Sequence, residues 1–278
     1  MKYAICNETY VDWTLEKTCE DIASHGYQGV EVAPFTLKAD PTELTEKEAA
    51  AAGDIIRSFG LVPVGLHWLL SKPVGFHITT PDKALRRKST DFLKHLVRLN
   101  AAMGGDVMVF GSPMSRNLVD GSTYDDAFAR AVEVISEMAS ECDKFGGTIA
   151  LEPLATKETD FMFTAQQGID ICEAVDNPHC QLHLDVKAMS DEDKAIDQII
   201  RDSAPWIAHF HANDPNLRGP GTGEVKYEPI YEALRDINYD KWVSIEVFKY
   251  DPDAPTIARE GIEFLKGMEQ KIMKSIEV

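Results

Sequence analysis

The chain alternates between short apolar runs and longer amphipathic segments, and this alternation restricts its fold more than any other feature. Eight runs of four to six residues are rich in β-branched or other apolar side chains. A segment with helical periodicity follows each run. Several of these segments end on glycine just before the next run, as at Gly26 and Gly60, where a helix C-cap is expected. The runs cover residues 3–6, 29–33, 61–66, 106–110, 148–151, 181–185, 207–211 and 242–247, and the helical segments cover residues 14–25, 42–59, 81–103, 124–145, 164–176, 191–203, 228–237 and 254–275.

Eight strand–helix units within 278 residues predict a (β/α)8 barrel. Parallel strands that are buried on both faces explain why the runs are almost continuously apolar. An open doubly wound sheet is the main competing architecture, but no GxGxxG fingerprint opens the first unit. No linker or low-complexity tract divides the chain, so we expect a single domain over residues 1–278 with its active site at the C-terminal ends of the strands.

Composition narrows the classes of partner and compartment. The chain has 46 acidic and 28 basic residues, a formal net charge of -18, which argues against a nucleic-acid partner because phosphates require a cationic surface. No apolar run of about 18 residues is present, so no membrane partner is expected. The early polar residues argue against a signal peptide, and we expect a cytoplasmic protein. The five cysteines are scattered without CxxC spacing, so neither disulfides nor a thiolate metal site is expected.

Four ionisable residues stand where the last four apolar runs end. These are Glu152, Asp185, His211 and Glu246, one from each run. Burying one carboxylate without a partner costs several kcal/mol, so three acids and an imidazole at one level of a barrel require a shared positive charge. A divalent cation would supply that charge. In the alternative interpretation, the two glutamates pair with Lys or Arg on neighbouring strands and the histidine is a hydrogen-bonded core residue.

The predicted donors are mostly oxygen atoms, which suits Mn²⁺ best, with Co²⁺ or Mg²⁺ as alternatives, and not the thiolate-rich tetrahedron of structural zinc. Other polar or aromatic residues near the strand ends are candidate substrate contacts or packing residues. His183 shares a strand face with Asp185, so a contact behind the metal site and a core hydrogen bond are comparable interpretations. The remaining candidates are Glu31 on the second strand and His67 and Trp68 after the third.

Four segments resemble the metal-binding motifs of the xylose-isomerase-like barrel superfamily, which contains sugar isomerases, ketose 3-epimerases and endonuclease IV. The resemblance extends over nearly the whole chain and is greatest, in pattern, to the D-tagatose/D-psicose 3-epimerase type. It implies that Glu152, Asp185, His211 and Glu246 bind one Mn²⁺ or Co²⁺ and that the two glutamates exchange protons with the substrate. The segments are residues 152–154, 183–185, 209–214 and 244–246.

The resemblance also implies substrate contacts and an oligomeric state. Glu158 and Arg218, the latter on a Gly- and Pro-rich loop after the seventh run, match substrate-contacting positions. The epimerases place a substrate-contacting histidine three residues after the metal-binding aspartate, where this chain has Ala188, and Lys187 is the candidate substitute. A small sugar or sugar derivative is therefore the expected ligand. The members of the family are commonly dimers or tetramers, so a homo-oligomer is expected.

The site residues predict proton transfer at a carbon next to a carbonyl. A metal-polarised carbonyl acidifies the adjacent C–H and stabilises an enediolate. Return of the proton on the opposite face gives an epimerase, and return to the neighbouring carbon gives an aldose–ketose isomerase. Loss of a β leaving group gives a dehydratase or lyase acting on a keto-sugar or keto-acid. A non-catalytic carbohydrate-binding barrel is a further alternative, whereas the net charge argues against an endonuclease.

Overall fold

The strands close into a barrel in sequence order. The computed structural model describes residues 1–274. Each strand pairs in parallel with its neighbours in the chain, and β1 also pairs with β8, which confirms the predicted (β/α)8 barrel. The strands are β1 (Lys2–Cys6), β2 (Gly29–Val32), β3 (Val62–Leu66), β4 (Val107–Phe110), β5 (Thr148–Leu151), β6 (Cys180–Asp185), β7 (Ile207–Ala212) and β8 (Trp242–Ile245).

Helices surround the barrel, and short 3₁₀ turns lie between some of the elements. The predicted helical segments match the longer helices, and two one-turn helices were not predicted. Residue 275 of the last predicted segment lies outside the described residues. The helices are α1 (Leu15–Ser24), α2 (Pro34–Leu37), α3 (Glu46–Ser58), α4 (Lys83–Met103), α5 (Tyr124–Phe145), α6 (Ala165–Val175), α7 (Val186–Met189), α8 (Ile196–Asp202), α9 (Tyr227–Asp236) and α10 (Ala254–Lys274).

The helices α3 and α8 begin at least four residues later than the periodicity predicted, and local hydrogen bonds explain both differences. Thr45 and Glu48 form a reciprocal capping box that starts α3, because each side chain accepts a hydrogen bond from the other residue's backbone N–H. The Asp191 carboxylate accepts hydrogen bonds from the backbone N–H and hydroxyl of Thr156, at 2.7 and 2.6 Å. This contact holds the segment before α8 against the loop after β5, outside the helix.

The barrel is filled from both sides of the sheet. Side chains of the strands and the inner faces of the helices form one large buried cluster. A Cβ added at Gly65 would lie 1.7 Å from the Val107 carbonyl oxygen, so glycine is required where β3 approaches β4. All five cysteines are free and buried. Within residues 1–274, no helix combines the length and the apolar character needed to cross a membrane.

Candidate active site

A cavity of about 620 Å³ opens at the C-terminal ends of the strands. Carboxylates at its floor belong to the segments that follow β5 and β8, two of the three positions at which strand ends predicted acidic residues. Aliphatic and aromatic side chains form most of its outer wall. The charged lining residues are Glu152, Glu158, Lys187 and Glu246, and the larger apolar ones are Trp68, Leu70, Val74, Phe76, Leu85, Pro113, Met114, Leu154 and Phe248.

The four predicted metal ligands lie close together. The candidate donor atoms of Glu152, Asp185 and His211, together with one of His183, all lie within 4.8 Å of one another. Glu246 adjoins this group, since its Oε2 lies 3.2 Å from Nδ1 of His211. All five side chains are buried. The described part of the chain therefore contains a compact cluster of oxygen and nitrogen donors below the cavity.

Asp185 is held in place by two neighbours that follow strands. Its Oδ1 accepts a hydrogen bond from the Ala188 backbone N–H at 2.8 Å, because Asp185 caps the short helix α7. Its Oδ2 accepts a hydrogen bond from the Asn213 side chain at 2.6 Å. The Asn213 oxygen in turn accepts a hydrogen bond from the Lys187 backbone N–H at 2.9 Å. These bonds fix the direction in which the carboxylate faces its neighbours.

Glu31 contacts the His211 ring at the nitrogen that does not face Glu246. Nε2 of His211 lies 3.1 and 3.2 Å from the two Glu31 oxygens, while Nδ1 faces Glu246. Glu31 also lies 2.8 Å from Nε2 of His209. Burial opposes a low pKa at Glu31, but the two imidazoles outweigh it and hold the pKa well below its usual range. A carboxylate behind a ligating imidazole fixes the orientation of the ring.

The pKa values of the two predicted proton-transfer groups are displaced in opposite directions. Burial raises the pKa of Glu152 well above its usual range, and the nearby carboxylates Glu246 and Asp185 raise it further. Burial also opposes ionisation of Glu246, but the charge of His211 and the hydrogen bond to it outweigh burial and lower that pKa. Burial raises the pKa of Asp185 too. Without a cation, Glu246 therefore ionises more readily than Glu152.

The carboxylate of Glu152 rests against a glycine. A Cβ added at Gly111, after β4, would lie 1.8 Å from Glu152 Oε2, so the carboxylate occupies the space of a missing side chain. The guanidinium of Arg116 is fully buried and donates a hydrogen bond to the Glu152 carbonyl oxygen at 2.6 Å. Sequence reasoning missed both residues, because neither follows the pattern of an ionisable residue at a strand end.

Trp68 contacts Glu246, the second predicted proton-transfer group, directly. Its indole N–H donates a hydrogen bond to Glu246 Oε1 at 2.7 Å. Its ring stacks on Phe248 with 6.0 Å between ring centroids and an interplanar angle of 19°. The backbone of Trp68 has φ of 53°, in the left-handed region that bulky residues rarely adopt. Such conformations concentrate at functional sites, where surrounding contacts stabilise them.

The neighbouring His67 belongs to a buried network below the cavity. Its Nε2 lies 2.6 Å from Glu8 Oε2, and its Nδ1 lies 3.8 Å from Glu31 Oε1. Glu8 was not predicted to belong to the site, although it lies two residues after the end of β1. His67 is fully buried and is not among the residues that line the cavity.

The buried Lys187 and the partly exposed Glu158 form an ion pair in the cavity wall. The ammonium donates to the two carboxylate oxygens at 2.7 and 2.9 Å and lies 4.5 Å from the centre of the Phe248 ring. Both residues were predicted to contact substrate, and both line the cavity. Burial opposes the charge of Lys187, but Asp185 and Glu158 outweigh it and raise the pKa of the ammonium.

The remaining predicted substrate contacts lie outside the cavity lining. Arg218 forms an ion pair with Asp251 at the surface, where its side chain is 41% exposed. Glu31 and His183 are buried beneath the site. In the described residues, the cavity is thus lined by Trp68, Glu158 and Lys187 together with Glu152 and Glu246.

The donor cluster fits a divalent cation. The carboxylates Glu152, Asp185 and Glu246 are buried near one another, and burial together with the neighbouring carboxylates raises the pKa values of Glu152 and Asp185. Mostly oxygen donors with one imidazole would suit Mn²⁺, Co²⁺ or Mg²⁺. The structure therefore contains a buried His, Glu and Asp cluster that is able to bind a metal.

Comparisons with known proteins place this geometry in a family. A family model described as "Xylose isomerase-like TIM barrel" matches residues 19–268. The chain is 28% identical over 236 residues to a D-psicose 3-epimerase of Ruminiclostridium cellulolyticum, covering 82% of this chain and 76% of that protein. It is 22% identical over 275 residues to an L-ribulose 3-epimerase of Methylomonas sp., covering 92% and 93% of the two chains.

Solved structures show the same fold. A D-psicose 3-epimerase crystallised in the presence of D-fructose matches with a TM-score of 0.84 at 22% identity, covering 97% of this chain and 99% of the other. An L-ribulose 3-epimerase structure matches with a TM-score of 0.87 at 21% identity, covering 100% of this chain and 97% of the other. At such identities the structural likeness establishes the fold alone.

Proposed function

Because the chain belongs to the xylose isomerase-like TIM barrel family, we propose that it is a divalent-metal-dependent ketose 3-epimerase. The curated relatives described above are named epimerases, which are isomerases, and the predicted enzyme class is confirmed at that level. The observation that carries the proposal is the buried cluster of carboxylates and imidazole at the floor of a cavity that opens at the strand ends. Strand ends are where barrel enzymes place their chemistry.

Glu152, Asp185, His211 and Glu246 would hold the metal ion, and Mn²⁺ is the proposed ion because most of the donors are oxygens. When bound, the ion supplies polarisation of the carbonyl next to the reacting carbon. Ala188 and Asn213 hold the carboxylate of Asp185, and Glu31 holds the ring of His211, so both side chains have fixed orientations. Glu152 and Glu246 also line the cavity, where a substrate can reach them.

Glu152 and Glu246 would act as an acid–base pair on opposite faces of the reacting carbon. Two carboxylates whose pKa values are pushed apart can divide these roles. In the metal-free protein Glu246 ionises more readily than Glu152, whereas a bound cation would favour the ionised form of both. Removal of the C3 proton by one group and delivery of a proton by the other inverts the carbon. In the reverse reaction the two groups exchange roles.

The cavity favours an unphosphorylated sugar. Lys187 is the only Lys or Arg among the cavity-lining residues within residues 1–274, and Glu158 already pairs with it. A phosphate site usually offers several cationic groups or helix N-termini. Glu158 and Lys187 would bind sugar hydroxyls, and Trp68 would pack against the carbon skeleton. Arg218 would contact a substrate only if its ion pair with Asp251 broke.

Cytoplasmic location and a homodimer or homotetramer remain predictions.

Hydrogen exchange from solvent tests the proposal. The Mn²⁺-loaded protein is incubated in D₂O with D-fructose, D-psicose, D-tagatose or L-ribulose, and NMR follows deuterium at C3 and the appearance of the 3-epimer. We expect deuterated epimer from at least one sugar, no product after exhaustive chelation, and no turnover in Glu152→Gln or Glu246→Gln. An unsaturated product would indicate a lyase. Deuterium at C1 would indicate an aldose–ketose isomerase. Binding of a sugar without exchange would indicate a carbohydrate-binding barrel.

A further inference from the structure

We propose that His183 is an additional ligand of the metal, so that the centre has two imidazole nitrogens as well as carboxylate oxygens. This inference rests on the proposed metal site but not on the proposed reaction. A second imidazole makes the donor set less oxygen-rich. The centre should therefore favour an ion that accepts nitrogen readily, such as Co²⁺ or Mn²⁺, over Mg²⁺.

The position of His183 is the first observation. His183 and Asp185 are two residues apart on β6, so their side chains point to the same face of the strand. A candidate donor atom of His183 lies within 4.8 Å of those of Glu152, Asp185 and His211. Its Nε2 is 3.8 Å from Glu152 Oε1, beyond hydrogen-bond range but within the span that two ligands of one ion occupy.

The lack of hydrogen-bond partners is the second observation. The His183 side chain is fully buried, and neither ring nitrogen has a hydrogen-bond partner among the described residues. Leaving a buried polar group unsatisfied costs about 1–3 kcal/mol. The neighbouring imidazoles of His209 and His211 differ from that of His183, because each has one nitrogen in contact with Glu31. A bound cation would satisfy a nitrogen of His183 that the protein leaves without a partner.

A deeper site formed by His183, His209 and His211 is the competing arrangement, since their nitrogens also lie within 4.8 Å of one another. Charge favours the shallower site. Glu152 and Asp185 bring negative charge to the cation, whereas three neutral imidazoles bring none. His209 also has one nitrogen, Nε2, in contact with Glu31 at 2.8 Å, whereas neither nitrogen of His183 has a hydrogen-bond partner among the described residues.

Counting the coordinated nitrogens tests the proposal. The full chain is labelled with ¹⁵N-histidine and loaded with Mn²⁺ alone, and electron–nuclear double resonance counts the directly bound nitrogens. We expect two in the wild type, one in His183→Gln, and two in the control His95→Gln, whose imidazole contacts the Leu44 carbonyl oxygen away from the site. In competition titrations, Co²⁺ affinity should fall at least about tenfold in His183→Gln, with a smaller loss for Mg²⁺.

One nitrogen in the wild type overturns the proposal, and this measurement suffices even if the His183 variant does not fold. Two nitrogens in His183→Gln, or a nitrogen lost in His209→Asn but kept in His183→Gln, also overturn it. The nitrogen count and the C3 exchange fail independently. Two bound nitrogens without C3 exchange would support His183 as a ligand and contradict the proposed epimerase. C3 exchange with one bound nitrogen would support the epimerase and contradict His183 as a ligand.

Discussion

Individual side chains around the cluster determine how the proposed ligands are presented. The rule that ionisable residues at strand ends form the site found Glu152, Asp185, His211 and Glu246, which lie together in the structure. The residues that contact Glu152 from other parts of the chain could not be predicted by this rule. Gly111 leaves room for the Glu152 carboxylate because it has no side chain, and Arg116 donates a hydrogen bond to the Glu152 carbonyl oxygen, 36 residues away in the sequence. Neither contact has a local sequence signal.

Glu31→Gln should weaken metal binding without removing a proposed ligand. The neutral amide would hold the His211 ring less firmly, and loss of a carboxylate behind a ligating imidazole typically costs about 10- to 100-fold in metal affinity. Calorimetric titration with Mn²⁺ measures the effect. The control Glu20→Gln, on the exposed face of α1, should bind like the wild type. Unchanged affinity in Glu31→Gln would mean that Glu31 does not orient His211.

Gly111→Ala should lower turnover while the barrel stays folded. The new methyl group would occupy the position of the Glu152 carboxylate, which can move because it ends a flexible side chain. A displacement of about 1 Å at a catalytic group can cost about 100-fold in rate. We expect kcat for the C3 exchange to fall at least about tenfold with little change in melting temperature. Gly267→Ala in α10, where a Cβ meets open space, is the matched control, and equal kcat in both variants would contradict the prediction.

At the scale of elements, the sequence predicted each strand to within two residues at either end. Continuous apolar runs bounded by helix caps made the strands visible. Helix starts were less predictable, because periodicity does not reveal where a side chain first caps a backbone. The residues before α3 form a 3₁₀ turn, and the capping box of Thr45 and Glu48 then sets the start.

Glu48→Gln should destabilise the protein in a pH-dependent way. Hydrogen bonds from the Thr45 backbone N–H and hydroxyl, and from Lys38, lower the pKa of Glu48 to about 2. A lowered folded-state pKa contributes stability above the unfolded pKa, and this is lost as pH falls toward the folded value. The variant should thus be less stable than wild type at pH 7, and the difference should shrink as pH falls from about 4.5 toward 2. Urea unfolding at several pH values measures the difference in free energy of unfolding, with Glu20→Gln as the control. A difference that does not depend on pH would contradict the prediction.

At the scale of the whole molecule, the proposed ligands come from the ends of β5, β6, β7 and β8, which form half of the barrel. The order of strands around the barrel was predictable from the eight repeated units. The shape of the cavity was not, because its outer wall comes from loops such as residues 70–77 and 111–115. Loop conformations depend on tertiary contacts that periodicity does not encode.

Metal binding should stabilise the entire fold. An ion that joins four strands binds the native state and not the unfolded chain, so Mn²⁺ at 100 times its dissociation constant should raise the free energy of unfolding by about 2.7 kcal/mol. Urea unfolding with Mn²⁺ or with a chelator measures this gain. Asp185→Asn should lose most of it, whereas Glu20→Gln should keep it. Equal stability with and without Mn²⁺ would argue against a native-state site.

The indole that donates to Glu246 also gives the protein an intrinsic optical reporter. Trp68 bonds to this carboxylate at 2.7 Å and stacks on Phe248, whereas the other three tryptophans make neither contact in the described chain. Any change in the charge or position of the carboxylate should alter the emission of this one ring. Titration with Mn²⁺ should therefore shift the fluorescence of the wild type, and Trp68→Phe should abolish the shift, so occupancy can be followed without a substrate or a label.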